Sequence, residues 1–200
     1  MSVITILDYG AGNLKSVTNI LEFLNCEYLV TNKKEDIKNA KSLIMPGQGH
    51  FGQFMNALQE KDLTEITVEK IKSGTPFLGI CLGIQVLFEY SEEAADVKGL
   101  GIFPGKVVKF THGKIPQIGW NKLKTTQNNS FLSDDYVYFV NSYHVIPDDK
   151  RIVSAYCDYN GDFVAALEHE NISAFQFHPE KSGEIGYGFL KKWIDKFVCF

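Results

Sequence analysis

The sequence is poor in cysteine and has no surplus of positive charge. Its four cysteines, at positions 26, 81, 157 and 199, show no CxxC spacing, which argues against a disulfide framework or a zinc site and predicts reduced thiols. Lysine and arginine total 20 against 24 acidic residues, giving a net charge of -4. Because the lysines are scattered and form no basic stripe, we expect no nucleic-acid partner.

Long hydrophobic runs are also missing. No apolar stretch approaches the length of a membrane span, and the opening VITILDY lacks the basic flank and apolar centre of a signal peptide. We therefore expect a cytoplasmic protein without membrane association. The chain has 200 residues, of which 44% are hydrophobic, enough to close one core, so we expect a single α/β domain over residues 1–200.

The order of predicted elements indicates the fold class. Strand patterns at residues 2–8, 28–31 and 41–45 alternate with helical patterns, which favours a parallel sheet with right-handed crossovers. The turn YGAGN after the first strand lacks the third glycine of a dinucleotide-binding GxGxxG motif, so we interpret it as a plain tight turn.

Residues 99–159 change to short strands and turns, which predicts antiparallel pairing. A hairpin of residues 164–169 and 172–177 and an amphipathic helix at 185–200 follow. The prediction is an α/β fold with a mostly parallel central sheet, flanking helices and additional antiparallel strands.

Residues 75–85, TPFLGICLGIQ, place Cys81 between a short apolar strand and a helix starting at Leu82. A nucleophile on such a turn stands clear of the sheet. We expect Gly79 and Gly83 to tolerate the strained backbone. We expect the helix, continuing past Gln85 and positions 88 and 89 to Glu93 near its end, to favour the thiolate through its dipole. A small buried hydrophobe is the alternative interpretation of a lone cysteine.

A glycine-rich loop, PGQGHFG, follows the strand that ends near Met45. Ligands of open α/β sheets bind at this edge. If this strand neighbours the strand before Cys81, the loop faces the sulfur and can supply one oxyanion donor while the Leu82 N–H supplies another. The alternative is a flexible connection into the helix from Phe51.

A candidate base follows the late strand, in the segment His178-Pro179-Glu180. Proline disfavours a helical conformation in the residue before it, and side chains two residues apart in an extended chain share a side. Glu180 can therefore hold the imidazole of His178 in one tautomer while the other ring nitrogen takes a thiol proton. A structural histidine is the alternative, and His144 is a reserve candidate.

Together, GICLGIQ, PGQGHFG and QFHPEKS resemble the motifs of class I, or triad-type, glutamine amidotransferases. The segments DYGAGNLKSV, IPQIGWN and YFVNSYH narrow the resemblance, over residues 8–182, to the glutaminase subunits of imidazole glycerol phosphate synthases. That resemblance implies hydrolysis of L-glutamine to glutamate and ammonia, with Cys81 as nucleophile, His178 as proton relay and Glu180 as its orienting acid. It implies no metal and no cofactor.

The resemblance also implies substrate and partner residues. It identifies Gly47, Gln48 and Gly49 as the oxyanion segment, and it places Gln85, Glu93, Ser142 and Tyr143 on the glutamine, the last two through backbone. Ammonia would pass to a (β/α)₈ barrel synthase subunit in a heterodimer that makes imidazole glycerol phosphate and an aminoimidazole carboxamide ribotide in histidine biosynthesis. Asn13, Trp120 and Lys181 would lie near that interface.

Two positions depart from the family pattern: NSYH stands where HSYY is common, and Gln48 where a small apolar residue is usual. They keep open a glutaminase that serves nucleotide-sugar amidation with a different synthase. Two alternatives from other classes are a partner-independent cysteine peptidase or hydrolase and a binding module with a dead site.

Overall fold

The computed structural model describes residues 3–10, 13–126 and 131–198. Within these ranges the chain forms twelve strands and six α-helices. The strands are β1 Ile4–Leu7, β2 Tyr28–Thr31, β3 Leu43–Gly47, β4 Phe77–Cys81, β5 Phe88–Ser91, β6 Phe103–Lys109, β7 Gln117–Thr125, β8 Tyr136–Asn141, β9 Tyr143–Pro147, β10 Val153–Asp158, β11 Asp162–His169 and β12 Ile172–Phe175. The helices are α1 Leu14–Phe23, α2 Lys34–Asn39, α3 Phe51–Glu60, α4 Thr64–Lys72, α5 Leu82–Gln85 and α6 Gly183–Phe197.

The main sheet of the described chain has nine strands in the order β2-β1-β3-β4-β12-β11-β10-β7-β8. The first five are parallel to their neighbours, and the last four continue the sheet in antiparallel pairs. This confirms the predicted α/β class, including the hairpin of β11 and β12. The helices α1 to α4 lie between the strands of the parallel half in sequence, because parallel neighbours need a connection that returns to the same end of the sheet.

Three further strands, β5, β6 and β9, form a small second sheet. The sequence pattern did not distinguish these strands from those of the main sheet. The run DYVYFVNSYHV breaks at Ser142, so that Asn141 ends β8 in the large sheet and Tyr143 begins β9 in the small one. The chain therefore passes from one sheet to the other at this residue.

The core lies on both faces of the large sheet because side chains alternate along each strand. Leu43 and Met45 point to the side covered by α2, α3 and α4, whereas Ile44 between them faces α1 and α6. Strands covered on both faces need near-continuous apolar sequence, which β1, β3 and β4 provide. The carboxyl ends of these parallel strands meet at one edge, where the candidate site is found.

The predicted helix after Cys81 is wrong in its length. It has one turn, α5, and the chain then enters β5 at Phe88. The carbonyl of Val86 accepts from Leu100 N–H at 2.7 Å, and that of Leu87 accepts from Ile102 N–H at 2.9 Å. Long-range backbone partners thus replace the helical hydrogen bonds that would have continued the helix.

Some sequence predictions fall outside the described residues. These include Ala11 and Gly12 of the predicted tight turn, the thiol of Cys199, and the ends of the first strand and last helix at Ser2 and Phe200. Cys81 and Cys157 are buried thiols within the described ranges. Within the described ranges, no helix has both the length and the apolar character needed to cross a membrane.

Candidate active site

Cys81 ends β4 in a strained backbone conformation, with φ of +55° and ψ of -105°. Positive φ is uncommon for a residue with a side chain and is concentrated at functional sites. The strain turns the chain sharply between β4 and α5 and directs the sulfur toward the cavity described below. Cys81 is 7% exposed, so its sulfur meets only what enters that cavity.

The glycines around Cys81 serve close packing, which corrects the expectation that they carry the strained backbone. Cys81 itself has the positive φ, whereas Gly79 and Gly83 are not among the positive-φ residues. A Cβ on Gly83 would lie 2.2 Å from the carbonyl oxygen of Met45, and one on Gly79 would lie 2.6 Å from the carbonyl oxygen of Gly83. Only glycine permits β3, β4 and α5 to approach this closely.

The glycine loop lies beside the sulfur, because β3 and β4 are parallel neighbours with Gly47 opposite Cys81. The adjacency on which the oxyanion hypothesis depended is therefore present. Gly49 has φ of +102°, a region that glycine adopts at little cost. The hydroxyl group of Tyr9 accepts a hydrogen bond from the Gln48 N–H at 3.1 Å and lies 3.2 Å from the Gln48 carbonyl oxygen.

His178 and Glu180 form a buried pair, with Nδ1 of His178 at 2.7 Å from Oε1 of Glu180. Each side chain is 2% exposed. His178 is extended, as expected before proline, but Glu180 lies in a 3₁₀ turn, Pro179–Lys181, and not in a continuing strand. Ser182 fixes this turn by donating to the His178 carbonyl at 2.7 Å and accepting from Tyr138 N–H at 2.9 Å.

The electrostatics of the site favour a protonated imidazole. Burial alone lowers the pKa of His178, but the neighbouring Cys81 sulfur and the Glu180 carboxylate outweigh burial and raise this pKa to about 10. A charged imidazolium stabilises an adjacent thiolate, the nucleophilic form of cysteine. Cys157 shows the opposite environment, because burial raises the pKa of its thiol to about 12.

A cavity of about 360 Å³ opens over the sulfur and the imidazole. Its lining comes from the elbow, the glycine loop, the segment after β5, the residue before β7, the β8–β9 break and the turn after β12: Gln48, Gly49, Cys81, Leu82, Gln85, Glu93, Pro116, Val140, Asn141, Ser142, Tyr143, His178 and Lys181. Both sheets therefore contribute to one site, sized for a small polar ligand.

The structure brings together the residues expected to contact substrate. Gln85 Nε2 donates to the Tyr143 carbonyl at 3.1 Å and to Gln176 Oε1 at 3.0 Å. Glu93 follows β5, not the predicted helix, and its Oε2 accepts from Phe51 N–H at the start of α3. The carbonyls of Ser142 and Tyr143 already accept protein hydrogen bonds.

Other candidates lie elsewhere. His144, the reserve base, stacks on Phe110 at 4.7 Å and lines a different groove. Of the three expected interface residues, Lys181 lines the cavity rim, Trp120 is 52% exposed on β7, and Asn13 is partly buried before α1. No cluster of metal-binding side chains occurs in the described parts of the chain.

Sequence reasoning missed two residues of the site. Tyr9 contacts Gln48 across 39 positions of sequence, and nothing local signals that contact. Gln176 lies two residues before His178 in QFHPE and reaches Cys81. Alternation along an extended segment places Gln176 and His178 on one side, so this contact could have been inferred.

Residues 5–195 match the family model described as glutamine amidotransferase class-I. A solved structure described as a glutamine amidotransferase superposes with a TM-score of 0.77 at 18% identity, covering 96% of this chain and 97% of that one. At such low identity the structure shows the shared fold. The match to the family model spans nearly the whole sequence, and the chain belongs to the class I glutamine amidotransferases.

Two relatives identify the group to which the chain belongs within this family. Imidazole glycerol phosphate synthase subunit HisH of Geobacillus thermodenitrificans is 40% identical over 204 residues, 97% of this chain and 96% of that protein. Imidazole glycerol phosphate synthase hisHF of Arabidopsis thaliana is 43% identical over 201 residues, 96% of this chain and 34% of that protein. Within its class, the chain thus belongs with the HisH subunits, which confirms the resemblance found in the sequence.

Proposed function

We propose that this chain is the glutaminase subunit of an imidazole glycerol phosphate synthase. It hydrolyses L-glutamine and delivers the ammonia to a synthase subunit of histidine biosynthesis. The observation that carries the proposal is that Cys81 and His178 line one cavity, with Glu180 paired to His178, in a chain whose full-length relatives are HisH subunits.

The first half-reaction forms a thioester. The Cys81 thiolate attacks the side-chain amide carbon of glutamine, and the carbonyl electrons move onto oxygen. The tetrahedral intermediate collapses as the imidazolium of His178 gives its proton to the amide nitrogen, which leaves as ammonia. Glu180 holds the imidazole through Nδ1, so that the opposite ring nitrogen faces the sulfur and the leaving group.

The second half-reaction releases glutamate. His178, now neutral, takes a proton from water, whose oxygen attacks the thioester carbon. Collapse of the second intermediate breaks the carbon–sulfur bond and restores the thiolate, and His178 returns to its protonated form. The buried pair with Glu180 favours that form and closes the cycle.

The oxyanion that forms twice is stabilised by backbone N–H groups. Leu82 N–H, at the start of α5 beside Cys81, is one donor. The second comes from the segment Gly47–Gly49, which lies opposite Cys81. We propose that rotation of one peptide in this loop completes or removes the second donor, so that partner binding switches the glutaminase on.

Glutamine recognition is assigned to the rest of the cavity wall. Gln85 and Glu93 contact the polar groups of the amino-acid end, and the segment Ser142–Tyr143 contributes backbone N–H groups, because its carbonyls are already occupied. The negative charge of Glu93 suits the α-ammonium group of the substrate.

The synthase partner docks beside the cavity. Ile118, Trp120 and Tyr136 are 61%, 52% and 60% exposed, and strand register places them on the face of β7 and β8 that also carries Val140 of the cavity. Exposed apolar patches of this kind mark protein interfaces. Asn13 and Lys181 complete the proposed surface. In the Arabidopsis relative, the matched region is only 34% of the protein, which leaves room for a synthase portion in the same chain.

A cytoplasmic location fits this function. The cysteine pattern of the sequence supports it, because the spacing typical of a secreted disulfide framework is missing.

The experiment is Cys81→Ala in the complex co-purified with the endogenous synthase subunit. We expect ammonia release from glutamine to be abolished while synthase activity with free ammonia is retained. A mutant that still hydrolysed glutamine would overturn the nucleophile assignment. Sequencing the co-purified chain identifies the partner: a nucleotide-sugar amidotransferase in place of the histidine-pathway synthase would contradict the proposal, and so would peptide or ester turnover without any partner.

A further inference from the structure

We propose that Gln176 is a positioning residue of the glutaminase, because its side-chain amide joins the nucleophile Cys81 to the substrate-recognition residue Gln85. This inference rests on the proposed function and adds a residue to that same site. Gln176 directly follows β12 and is fully buried. Its Nε2 lies 3.8 Å from Cys81 Sγ, and its Oε1 lies 3.0 Å from Gln85 Nε2.

The alternation of the late strand explains how Gln176 reaches the site. The rings of Phe175 and Phe177 stack at 4.8 Å in the core beneath α6. Gln176 and His178 therefore project from the other side of this extended segment, toward Cys81. The same segment thus supplies the base and, two residues earlier, an amide behind the sulfur.

The direction of each amide follows from a backbone group. The Tyr143 carbonyl can only accept, so the end of Gln85 that faces it must be the NH₂ group. The second hydrogen of that NH₂ needs an acceptor, which must be the oxygen of Gln176. The NH₂ group of Gln176 is then the end that faces the sulfur. A flip of either amide would bring two acceptors or two donors together.

This arrangement has two consequences for the reaction. At the sulfur, the Val140 carbonyl also lies at 3.8 Å and, being an acceptor, favours the thiol. The Gln176 N–H opposes it and favours the thiolate, because hydrogen bonds to a charged form stabilise that form. At Gln85, both Nε2 hydrogens are used within the described structure, which leaves Oε1 as the acceptor for the substrate ammonium group.

Two variants separate these roles. Gln176→Met has a similar size but neither donates nor accepts, so it removes both contacts. Gln176→Glu keeps an acceptor for Gln85 but replaces the donor at the sulfur with a second oxygen. Gln117→Met is the matched control, because Gln117 is equally buried and its amide has no hydrogen-bond partner among the described residues.

The readout at the sulfur is the pH profile of iodoacetamide alkylation of the full chain, followed by mass spectrometry of the peptide that contains Cys81. The titratable groups that face the sulfur or share its cavity are His178, Tyr9, Glu93, Tyr143 and Lys181, and Gln176→Met changes none of them. For Gln176→Met we expect alkylation on the acidic side of the profile, where most of the sulfur is thiol, to slow about fivefold, the equivalent of one hydrogen bond. The midpoint should move to higher pH. Gln176→Glu should slow alkylation more.

The readout at the substrate is steady-state glutaminase kinetics in the complex with the synthase subunit. Gln176→Met should raise KM for glutamine and lower kcat, whereas Gln176→Glu should lower kcat with KM unchanged. Gln117→Met should match the wild type in both assays. If Gln176 had a merely structural role, both variants would lower thermal stability, but they would not differ in their effects on KM and kcat.

The possible outcomes are distinct. Wild-type protein that does not hydrolyse glutamine in the complex would contradict the proposed function, not the role of Gln176. Active wild-type protein with unchanged alkylation and kinetics in a folded Gln176→Met would overturn this inference. Circular dichroism checks folding, and if Gln176→Met does not fold, the alkylation profile of Gln176→Glu decides in the same way. If neither folds, Gln176 is a structural core residue and the inference is wrong.

Discussion

The hydroxyl group of Tyr9 hydrogen-bonds to both backbone groups of Gln48, accepting from the N–H at 3.1 Å and donating to the carbonyl at 3.2 Å. Gln48 is the central residue of the oxyanion loop, so Tyr9 fixes the peptide whose rotation we propose as the switch. Tyr9→Phe removes this restraint. Since a hydrogen bond contributes about 1 kcal/mol, we expect glutaminase activity without partner to rise about fivefold.

The measurement is the ratio of glutaminase rates with and without the synthase subunit, which should fall in Tyr9→Phe. Tyr28→Phe on the outer strand β2 is the control and should keep the wild-type ratio. An unchanged ratio in Tyr9→Phe would show that the hydroxyl does not restrain the switch.

Glu180→Gln tests the orienting acid. The neutral amide fills the same space but cannot stabilise a charged imidazole at 2.7 Å, and it can hold the wrong tautomer. We expect kcat for glutamine to fall by about 10²- to 10⁴-fold, the range typical of this change in triads. Glu184→Gln, in the first turn of α6, should leave kcat unchanged. A Glu180→Gln enzyme with near wild-type kcat would contradict the triad.

The raised pKa of His178, about 10, links folding to pH. A group whose pKa is higher in the folded than in the unfolded protein stabilises the fold fully below its unfolded value, and this contribution is lost as pH rises through the folded value. The free energy of unfolding should therefore decrease between about pH 6.5, the ordinary value for histidine, and pH 10. Cys81→Ala removes the sulfur that raises the pKa and should flatten this decrease.

Urea unfolding at several pH values measures the effect, and NMR titration of the His178 ring measures the pKa directly. A wild-type imidazole that titrates at or below its ordinary value would show that the site does not hold a charged imidazole at rest.

Gly83→Ala tests the packing of the elbow. Its Cβ would meet the Met45 carbonyl oxygen at 2.2 Å, so β3 or α5 must move, and we expect a loss of about 2 kcal/mol or more in the free energy of unfolding. Gly188 in α6 is the control, because a Cβ there meets nothing within 4 Å. Gly188→Ala should gain about 0.5–1 kcal/mol from helix propensity. Denaturant midpoints compare the two, and equal effects would contradict the packing argument.

Trp120→Ala tests the proposed docking face. Large aromatic side chains at interface centres often contribute about 2 kcal/mol or more, so the Kd for the synthase subunit should rise about 30-fold without loss of folding. Tyr90→Ala, which removes another exposed aromatic ring on β5, is the control. Equal binding by wild type and Trp120→Ala would place the interface elsewhere.

The sequence allowed the elements with a clear period to be predicted. β2 was located at its observed bounds, and the β11–β12 hairpin and α6 were found, because alternating and helical apolar patterns encode burial directly. Cys81, His178 and Glu180 could be selected as catalytic candidates because each sits in a local motif, and the structure brings them together.

What could not be predicted depends on distant partners. Helix α5 is short because the carbonyl groups of Val86 and Leu87 accept hydrogen bonds from the N–H groups of residues 100 and 102. Tyr9 contacts Gln48 because β1 pairs in parallel with β3. The local sequence around these residues encodes neither contact. The positive φ of Cys81 is likewise set by the close packing of β3, β4 and α5, not by cysteine itself.

The break at Ser142 divides the proposed glutamine site between two sheets. Cys81 ends β4 of the large sheet and His178 follows its strand β12, whereas Tyr143 begins β9 of the small sheet and Glu93 follows β5 of that sheet. With the proposed function, a bound glutamine would span that seam, with its side-chain amide at Cys81 and its ammonium group toward Glu93. We therefore expect the spacing of the two sheets to select the length of the substrate, and asparagine, shorter by one methylene, to be a poor substrate.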